Sequence, residues 1–505
     1  MKGVKSIVDY SGTGAALVNV ECHITNGLPA IVIIGYASKA VDEAKDRLRA
    51  SFSNSALAFP KKRVTLNLSP ADMLKDSTSL DLAMALAVLR ESRQIDASSP
   101  ERWVFLGELS LDGSLNPVRG LIGRILEAKK LRLTRFVIPE SNLTQALLVP
   151  GISIKAANSL KDVYLDFAGT LGLKTTTSGE GRLIAQQSKT DAIDLAEISG
   201  QAVAKRALQI AAAGHHNILF HGPPGTGKTM LAKAMCGILP PLDRSEVLEV
   251  TQLHSLAIGD FSEIITDRPF RSPHHTASTT ALVGGGSNPR PGEATLAHRG
   301  VLFLDELPEF SHGSLEALRQ PLEDGLVTIA RVKGSATYPA SFILVATQNP
   351  CPCGYFGTSK PCVCTAAAIS RYQKKVSGPI LDRIDLHLPV HDVDYKAILS
   401  GEKRQSETRP ARLSVAKSYQ LQKERFGSVR FNASMTNKEV RELARLSSPA
   451  KKLLDEAAEK LAISARAYVR TVKVARTIAD LAGEPIILPT HIAEALQYRY
   501  QPVLT

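Results

Sequence analysis

Residues 216–235 read "HNILFHGPPGTGKTMLAKAM", an apolar run, a glycine-rich turn and a helix-forming run in that order. This stretch constrains the fold more than any other, because a GxxxxGK[ST] turn works between a buried strand and the helix that follows it. Gly222, Gly225 and Gly227 let the backbone close around phosphates with its N–H groups turned inward, and Pro223, Pro224 and Thr226 complete the loop. Lys228 neutralises the β- and γ-phosphates, and Thr229 offers a hydroxyl to Mg²⁺. The pattern implies ATP and Mg²⁺ as ligands and predicts an α/β domain around a parallel sheet.

Further along, "RGVLFLDELPEF" reads as a buried strand ending in two carboxylates. Asp305 can hold Mg²⁺ through water, and Glu306 can polarise the water that attacks the γ-phosphate. "SFILVATQNP" is another apolar strand, ending in Asn349, whose amide is placed to orient that water. This order of elements resembles the AAA+ ATPase family, in which the asparagine is sensor 1. "SGPILDRIDLHLPV" resembles the segment that carries the family's arginine finger, here Arg383. "ISARAYVRTVKVARTIADLAG" resembles the lid helix with sensor 2, which points to Arg466, with Arg470 one turn further as the alternative. An arginine finger acts on a neighbour's nucleotide, so the resemblance implies a homo-oligomeric ring.

In "PLEDGLVTIARVKGSATYPASF" two β-prone runs flank a Lys-Gly turn, which predicts a hairpin just before the sensor strand. It resembles the insert of the AAA+ branch that holds the magnesium-chelatase ATPase subunit and the MCM helicases. There the hairpin faces a central channel, which implies DNA contacts for Arg331 and Lys333. The region 252–298 fits that branch's second insert. Its adjacent His274 and His275 have no other metal ligand nearby in sequence and read as packing or hydrogen-bonding residues. "CPCGYFGTSKPCVC" sets Cys351 and Cys353 eight intervening residues before Cys362 and Cys364. Four thiolates on one loop can close a structural Zn²⁺ site, and reduced, metal-free thiols are the alternative.

With 505 residues the chain needs several cores. Four parts are expected: 1–168, a linker 169–190, the ATPase domain 191–395 and a helical domain 396–505. In the first part "LPAIVIIGY", "KRVTLNLS" and "RFVIPE" read as strands, and "AVDEAKDRLRASF" and "LDLAMALAVLRE" as helices. The polar, Gly/Ser/Thr-rich "TTTSGEGRLIAQQSK" supplies the linker. Net charge is +12, of which residues 396–505 contribute +9 through 20 Lys and Arg against 11 Asp and Glu, which favours a polyanionic partner. No apolar run is long enough to span a membrane, and the N-terminus alternates like a strand, so a cytoplasmic location with reduced cysteines is expected.

The first domain resembles the proteolytic domain of Lon protease. In "LKDSTSLDLAMALA" Ser79 takes the nucleophile's place at a helix N-terminus. The Lon fold supplies its catalytic lysine shortly after a Gly-Leu pair, and here Gly120-Leu121 is followed by Ile122. Arg119 and Arg124 cannot act as bases, and Lys129 and Lys130 lie two turns along the helix. The resemblance therefore implies an inactive domain, with Ser79 reading as a helix cap.

"RPFRSPHH", "PRPGE", "LDELPEF", "NPCPCG", "SGPILDRIDLH" and "ARTIADLAG" together resemble the YifB/ComM family of magnesium-chelatase-like ATPases over nearly the whole chain. The resemblance implies an α/β protein with an inactive Lon-protease-like α+β domain, a P-loop AAA+ domain with a parallel sheet, and a helical lid. It also implies a hexameric helicase that drives branch migration of single-stranded or branched DNA, without sequence preference, during natural transformation. A chelatase-like subunit that remodels a protein partner is the alternative, and the additional N-terminal domain argues against it.

Overall fold

A computed structural model describes residues 3–9, 14–75, 77–96, 99–179, 193–257, 263–286, 290–331, 334–358, 360–391 and 405–499. The chain divides into two units. One comprises residues 1–186, 243–265 and 328–338, and the other comprises 187–242, 266–327 and 339–505.

In the first unit, alternation along "VKSIVD" and "AALVNVECHIT" produces β1 (Val4–Asp9) and β2 (Ala15–Thr25), an antiparallel pair that puts Val18, Val20 and Cys22 on the buried face. With β3 (Ala30–Ile34), β4 (Arg63–Ser69), β5 (Val104–Phe105), β6 (Arg135–Pro139), β7 (Ser153–Ala157) and β8 (Thr175–Thr177) they form an eight-stranded sheet of order β8-β7-β6-β5-β1-β2-β4-β3. It is mixed: β1, β5, β6 and β7 run parallel, while β2 pairs antiparallel with β1 and β4. Helices α1 (Ala44–Asn54), α2 (Asp81–Glu91) and α3 (Leu121–Lys130) accompany it. Every residue of α2 from Asp81 to Leu89 is buried, so "DLAMALAVL" is the unit's central helix. The expected linker begins as structure: β-branched Thr175–Thr177 pair antiparallel with β7 as an edge strand, and residues 180–189 lie outside the described ones.

The second unit is built on β9 (Ile218–His221), β10 (Phe270–Arg271), β11 (Val301–Leu304), β12 (Ile343–Gln348) and β13 (Leu386–Pro389), in the order β10-β11-β12-β9-β13. Every pairing is parallel. Their near-continuous apolar sequences reflect burial on both faces by α4 (Ala202–Gly214), α5 (Lys228–Ile238) and the C-terminal helices. The last of these include α6 (Thr408–Phe426) and α7 (Ala465–Ala482). One core runs from Phe220, Leu231 and Val345 to Val415, Val472 and Ile478, so the helical region shares its interior with the sheet. The Arg412 guanidinium donates to the Gly237 carbonyl at 2.7 Å, which fastens α6 to the end of α5.

The hairpin predicted before β12 is present as Leu326–Arg331 and Gly334–Pro339, which form a two-stranded sheet of their own among the described residues.

Candidate functional site

Three parallel strands, β9, β11 and β12, deliver the candidate residues to one end of the second sheet. β9 runs into the glycine loop, where Gly225 and Gly227 adopt φ of 84° and 85°, a region closed to most side chains. Lys228 follows at the start of α5, with only 8% of its surface exposed. Its ammonium donates to the carbonyls of Gly222 and Pro223, each at 2.8 Å, and to Asn349 Oδ1 at 3.2 Å. Burial pulls its pKa down, against the opposing pull of Asp305 and Glu306. The Asn349 amide in turn points at Glu306 Oε1, 3.5 Å away. Glu306 sits in the left-handed region with φ of 52°, held there by donation from its N–H to Thr347 Oγ1 at 2.9 Å. The Thr347 hydroxyl donates to Asp305 Oδ1 at 2.5 Å. The Lys228 ammonium, the Asn349 amide and the Glu306 and Asp305 carboxylates are thus linked by hydrogen bonds through one another and Thr347. Thr229 lies one residue beyond Lys228 at the start of the same helix.

Thr347 is a residue that sequence reasoning missed. It lies on β12 two positions before Asn349, at the end of the apolar run Ile343–Ala346, where a lone threonine reads as an ordinary strand former.

Arg383 is 6% exposed and packs its guanidinium between the Glu323 carboxylate and the Pro379 carbonyl. Its Nε, fully buried, finds no acceptor among the described residues. Arg383 and Arg466 line one cavity of about 860 Å³ together with Glu323, Arg441, Arg470 and Lys473. None of residues 222–229 lines it. Arg466 is exposed, whereas Arg470 is committed to Asp385 at 3.0 Å. Burial disfavours the Asp385 carboxylate, yet Arg470 and His216 hold its pKa down at about 2. Glu323, the holder of Arg383, was not legible beforehand, because a carboxylate on a short helix announces no partner.

The four cysteines converge. The sulfurs of Cys351 and Cys353 are 3.4 Å apart, Cys351 and Cys362 3.7 Å, and Cys353 and Cys362 3.5 Å, and all four lie within 4.8 Å of one another. A tetrahedron with Zn–S near 2.3 Å requires sulfur separations of about 3.8 Å, so the donor set fits zinc. Backbone N–H groups of Tyr355 and Val363 draw the Cys353 thiol down to about 6. His274 and His275 form no such cluster: their rings pack 4.1 Å apart, and His274 Nδ1 bonds the Thr276 hydroxyl at 2.9 Å. Nearby, Arg271 of "RPFRSPHH" is bidentate to Glu293 of "PRPGE" at 2.6 and 2.7 Å.

Of the two residues expected on the hairpin, Lys333 lies outside the described residues, and Arg331 is described only as backbone at the end of its strand.

In the first unit Ser79 is not a cap, contrary to expectation. The chain makes a short helical turn, Thr78–Leu80, ahead of α2, which moves the capping position upstream. Ser77 takes that role, accepting the Ser79 N–H at 3.3 Å. Ser79 is 3% exposed, and its hydroxyl accepts from Arg124 Nη1. Arg124 also donates to Asp9 at 2.9 and 2.6 Å. A permanently protonated guanidinium therefore fills the place where a base would have to stand, and it cannot accept the serine proton.

Among the described residues no helix is long and apolar enough to cross a membrane.

Three family models match successive parts of the chain. A family model described as "Magnesium chelatase, subunit ChlI" matches residues 194–398, "Subunit ChlI of Mg-chelatase" matches 20–142, and "Magnesium chelatase, subunit ChlI C-terminal" matches 405–499. The N-terminal region therefore does not by its family name set the chain apart from chelatase subunits, contrary to the argument from sequence. Competence protein ComM of Haemophilus influenzae is 42% identical over 490 residues, covering 97% of this chain and 95% of its own. The uncharacterized protein YifB of Escherichia coli is 39% identical, with 97% and 95% coverage. The magnesium-chelatase 67 kDa subunit of Heliobacterium mobile is 28% identical over 192 residues, 32% of this chain and 29% of its own.

Proposed function

The chain belongs to the YifB/ComM family of magnesium-chelatase-like ATPases, and from that premise we propose that it is an ATP-driven, ring-forming DNA translocase that promotes branch migration. The observation that carries the catalytic half is the hydrogen-bonded run from Lys228 through Asn349 to Glu306, with Thr347 tying Glu306 to Asp305. Residues 222–229 would hold the triphosphate, and Thr229 and Asp305 would hold Mg²⁺, which would shield the phosphate charge. Glu306 takes a proton from the attacking water, and Asn349 aims that water.

Arg383 serves a neighbouring subunit's nucleotide as the arginine finger, and Arg466 on the lid helix is sensor 2. The cationic cavity they share suits a polyphosphate presented from outside, and an unpartnered buried Nε gives Arg383 a reason to exchange Glu323 for an anion. A hexamer is the ring we infer. DNA enters through phosphate contacts, with Arg331 and Lys333 on the hairpin as its first contacts and little sequence preference. The first unit is a Lon-like domain that has lost peptidase chemistry. The likeness to a competence protein suggests a cytoplasmic role in handling incoming DNA.

A chelatase-like role on a protein partner is the second reading, favoured by the names of the matching family models. Against it, the named chelatase subunit aligns with 32% of the chain, whereas the competence protein aligns with 97%. The test is branch migration on a synthetic four-way junction with ATP. Wild-type chain should resolve it, and Glu306→Gln should not. Equal migration by the variant would place the engine elsewhere.

A further inference from the structure

The cysteine loop abuts both halves of the nucleotide site. One residue, Pro350, separates Cys351 from the sensor Asn349, and the Pro350 carbonyl is held by the Gln373 amide at 3.2 Å. Three residues beyond Cys351, Gly354 lies so close to the P-loop that a Cβ on it would stand 2.6 Å from Pro224 Cδ, and its φ is +85°. Gly354 N–H donates to the Cys351 carbonyl at 3.0 Å, and Phe356 N–H donates to Cys351 Sγ at 3.3 Å, so the turn is wound about that sulfur. The described residues between Asn349 and the helix Ala366–Gln373 form neither helix nor strand. With no backbone ladder, such a loop keeps one shape only when something closes it, and a metal held by four thiolates is a strong closure.

We infer that zinc bound by Cys351, Cys353, Cys362 and Cys364 is a strut for the ATP site of the same chain, fixing Pro224 through Gly354 and Asn349 through Pro350, so that zinc occupancy sets nucleotide affinity. This rests on the reading of residues 222–229 as the ATP loop. Four cysteine ligands leave no open coordination position, so the metal's part is mechanical. The cysteines and Gly354 are positioning residues, which act through Pro224 and Asn349.

The test uses full-length chain. Zinc per chain is measured by atomic emission, and equilibrium affinity for the fluorescent analogue MANT-ATP is measured before chelation, after chelation with 1,10-phenanthroline and after Zn²⁺ is restored. One zinc per chain is expected, with MANT-ATP affinity falling about tenfold on removal, the size of effect common when a metal's supporting shell is disturbed, and returning on reloading. Gly354→Ala leaves all four thiols in place, so it should keep its zinc. Its affinity should still fall about tenfold, the equivalent of forcing a side chain into the left-handed region. Absence of zinc from the purified chain and from Zn²⁺ titrations, or unchanged affinity in stripped chain, overturns the inference. So does a zinc-loaded Gly354→Ala chain that binds like wild type. Failure of zinc-loaded wild type to bind MANT-ATP at all overturns instead the nucleotide reading beneath it.

Discussion

Lys228 Nζ and Asn349 Oδ1 lie 3.2 Å apart, joining the start of α5 to the tip of the neighbouring strand. The same ammonium donates to the Gly222 and Pro223 carbonyls, so it ties the glycine loop to the strand tip. Lys228→Ala should abolish MANT-ATP binding while leaving the circular dichroism spectrum intact. Asn349→Ala should lower kcat about a hundredfold with KM changed little, as the proposed part of its amide in aiming the attacking water requires.

Glu306→Gln keeps shape and hydrogen bonding but cannot take a proton. ATP turnover should fall by about 10²- to 10⁴-fold with nucleotide affinity retained, as a steady-state assay paired with equilibrium binding will register.

Thr347→Val removes the hydroxyl that holds the Glu306 N–H and reaches Asp305. Loss of about 1–3 kcal/mol in urea unfolding is expected from the stranded groups, with kcat down about tenfold. Thr347→Ser, which retains the oxygen, should recover both.

Asp480 is 3% exposed and receives Arg425, Arg476 and Asn432. Asp480→Ala leaves Arg476, itself 1% exposed, as a buried charge without its counter-ion. Denaturant titration should show a loss of about 3–5 kcal/mol, concentrated in the second unit.

Burial holds His387 down at about 4, while the unfolded chain titrates near its ordinary value of 6.5. His387 is then neutral in both states above pH 6.5. Below it, the unfolded chain gains a proton that the folded chain refuses. Stability should therefore fall from pH 6.5 toward 4, by about 1.4 kcal/mol per pH unit at most for this group, and His387→Asn should flatten that slope in pH-dependent thermal melts.

What could be read in advance follows from how much each role restricts residue type and spacing. The glycine loop, the Asp305–Glu306 pair, Asn349 and the two CxC pairs all demand fixed residues at fixed separations, and the structure brings each set together. Some elements of the first unit were legible as well: "KRVTLNLS" alternates as a half-buried strand does, and "LDLAMALAVLRE" is too long and too rich in helix formers for a buried strand. Thr347, Glu323 and the Arg124–Ser79 contact were not, because each acquires meaning only from a partner distant in sequence. Ser79 was misplaced because nothing local reveals that a short helical turn precedes α2.

ATP turnover with and without four-way-junction DNA, at low and at high salt, tests the central claim most directly. Junction DNA should raise the rate severalfold at low salt, and the stimulation should fade as salt rises, because phosphate contacts release counterions on binding. A rate indifferent to DNA at both salt concentrations would contradict the account.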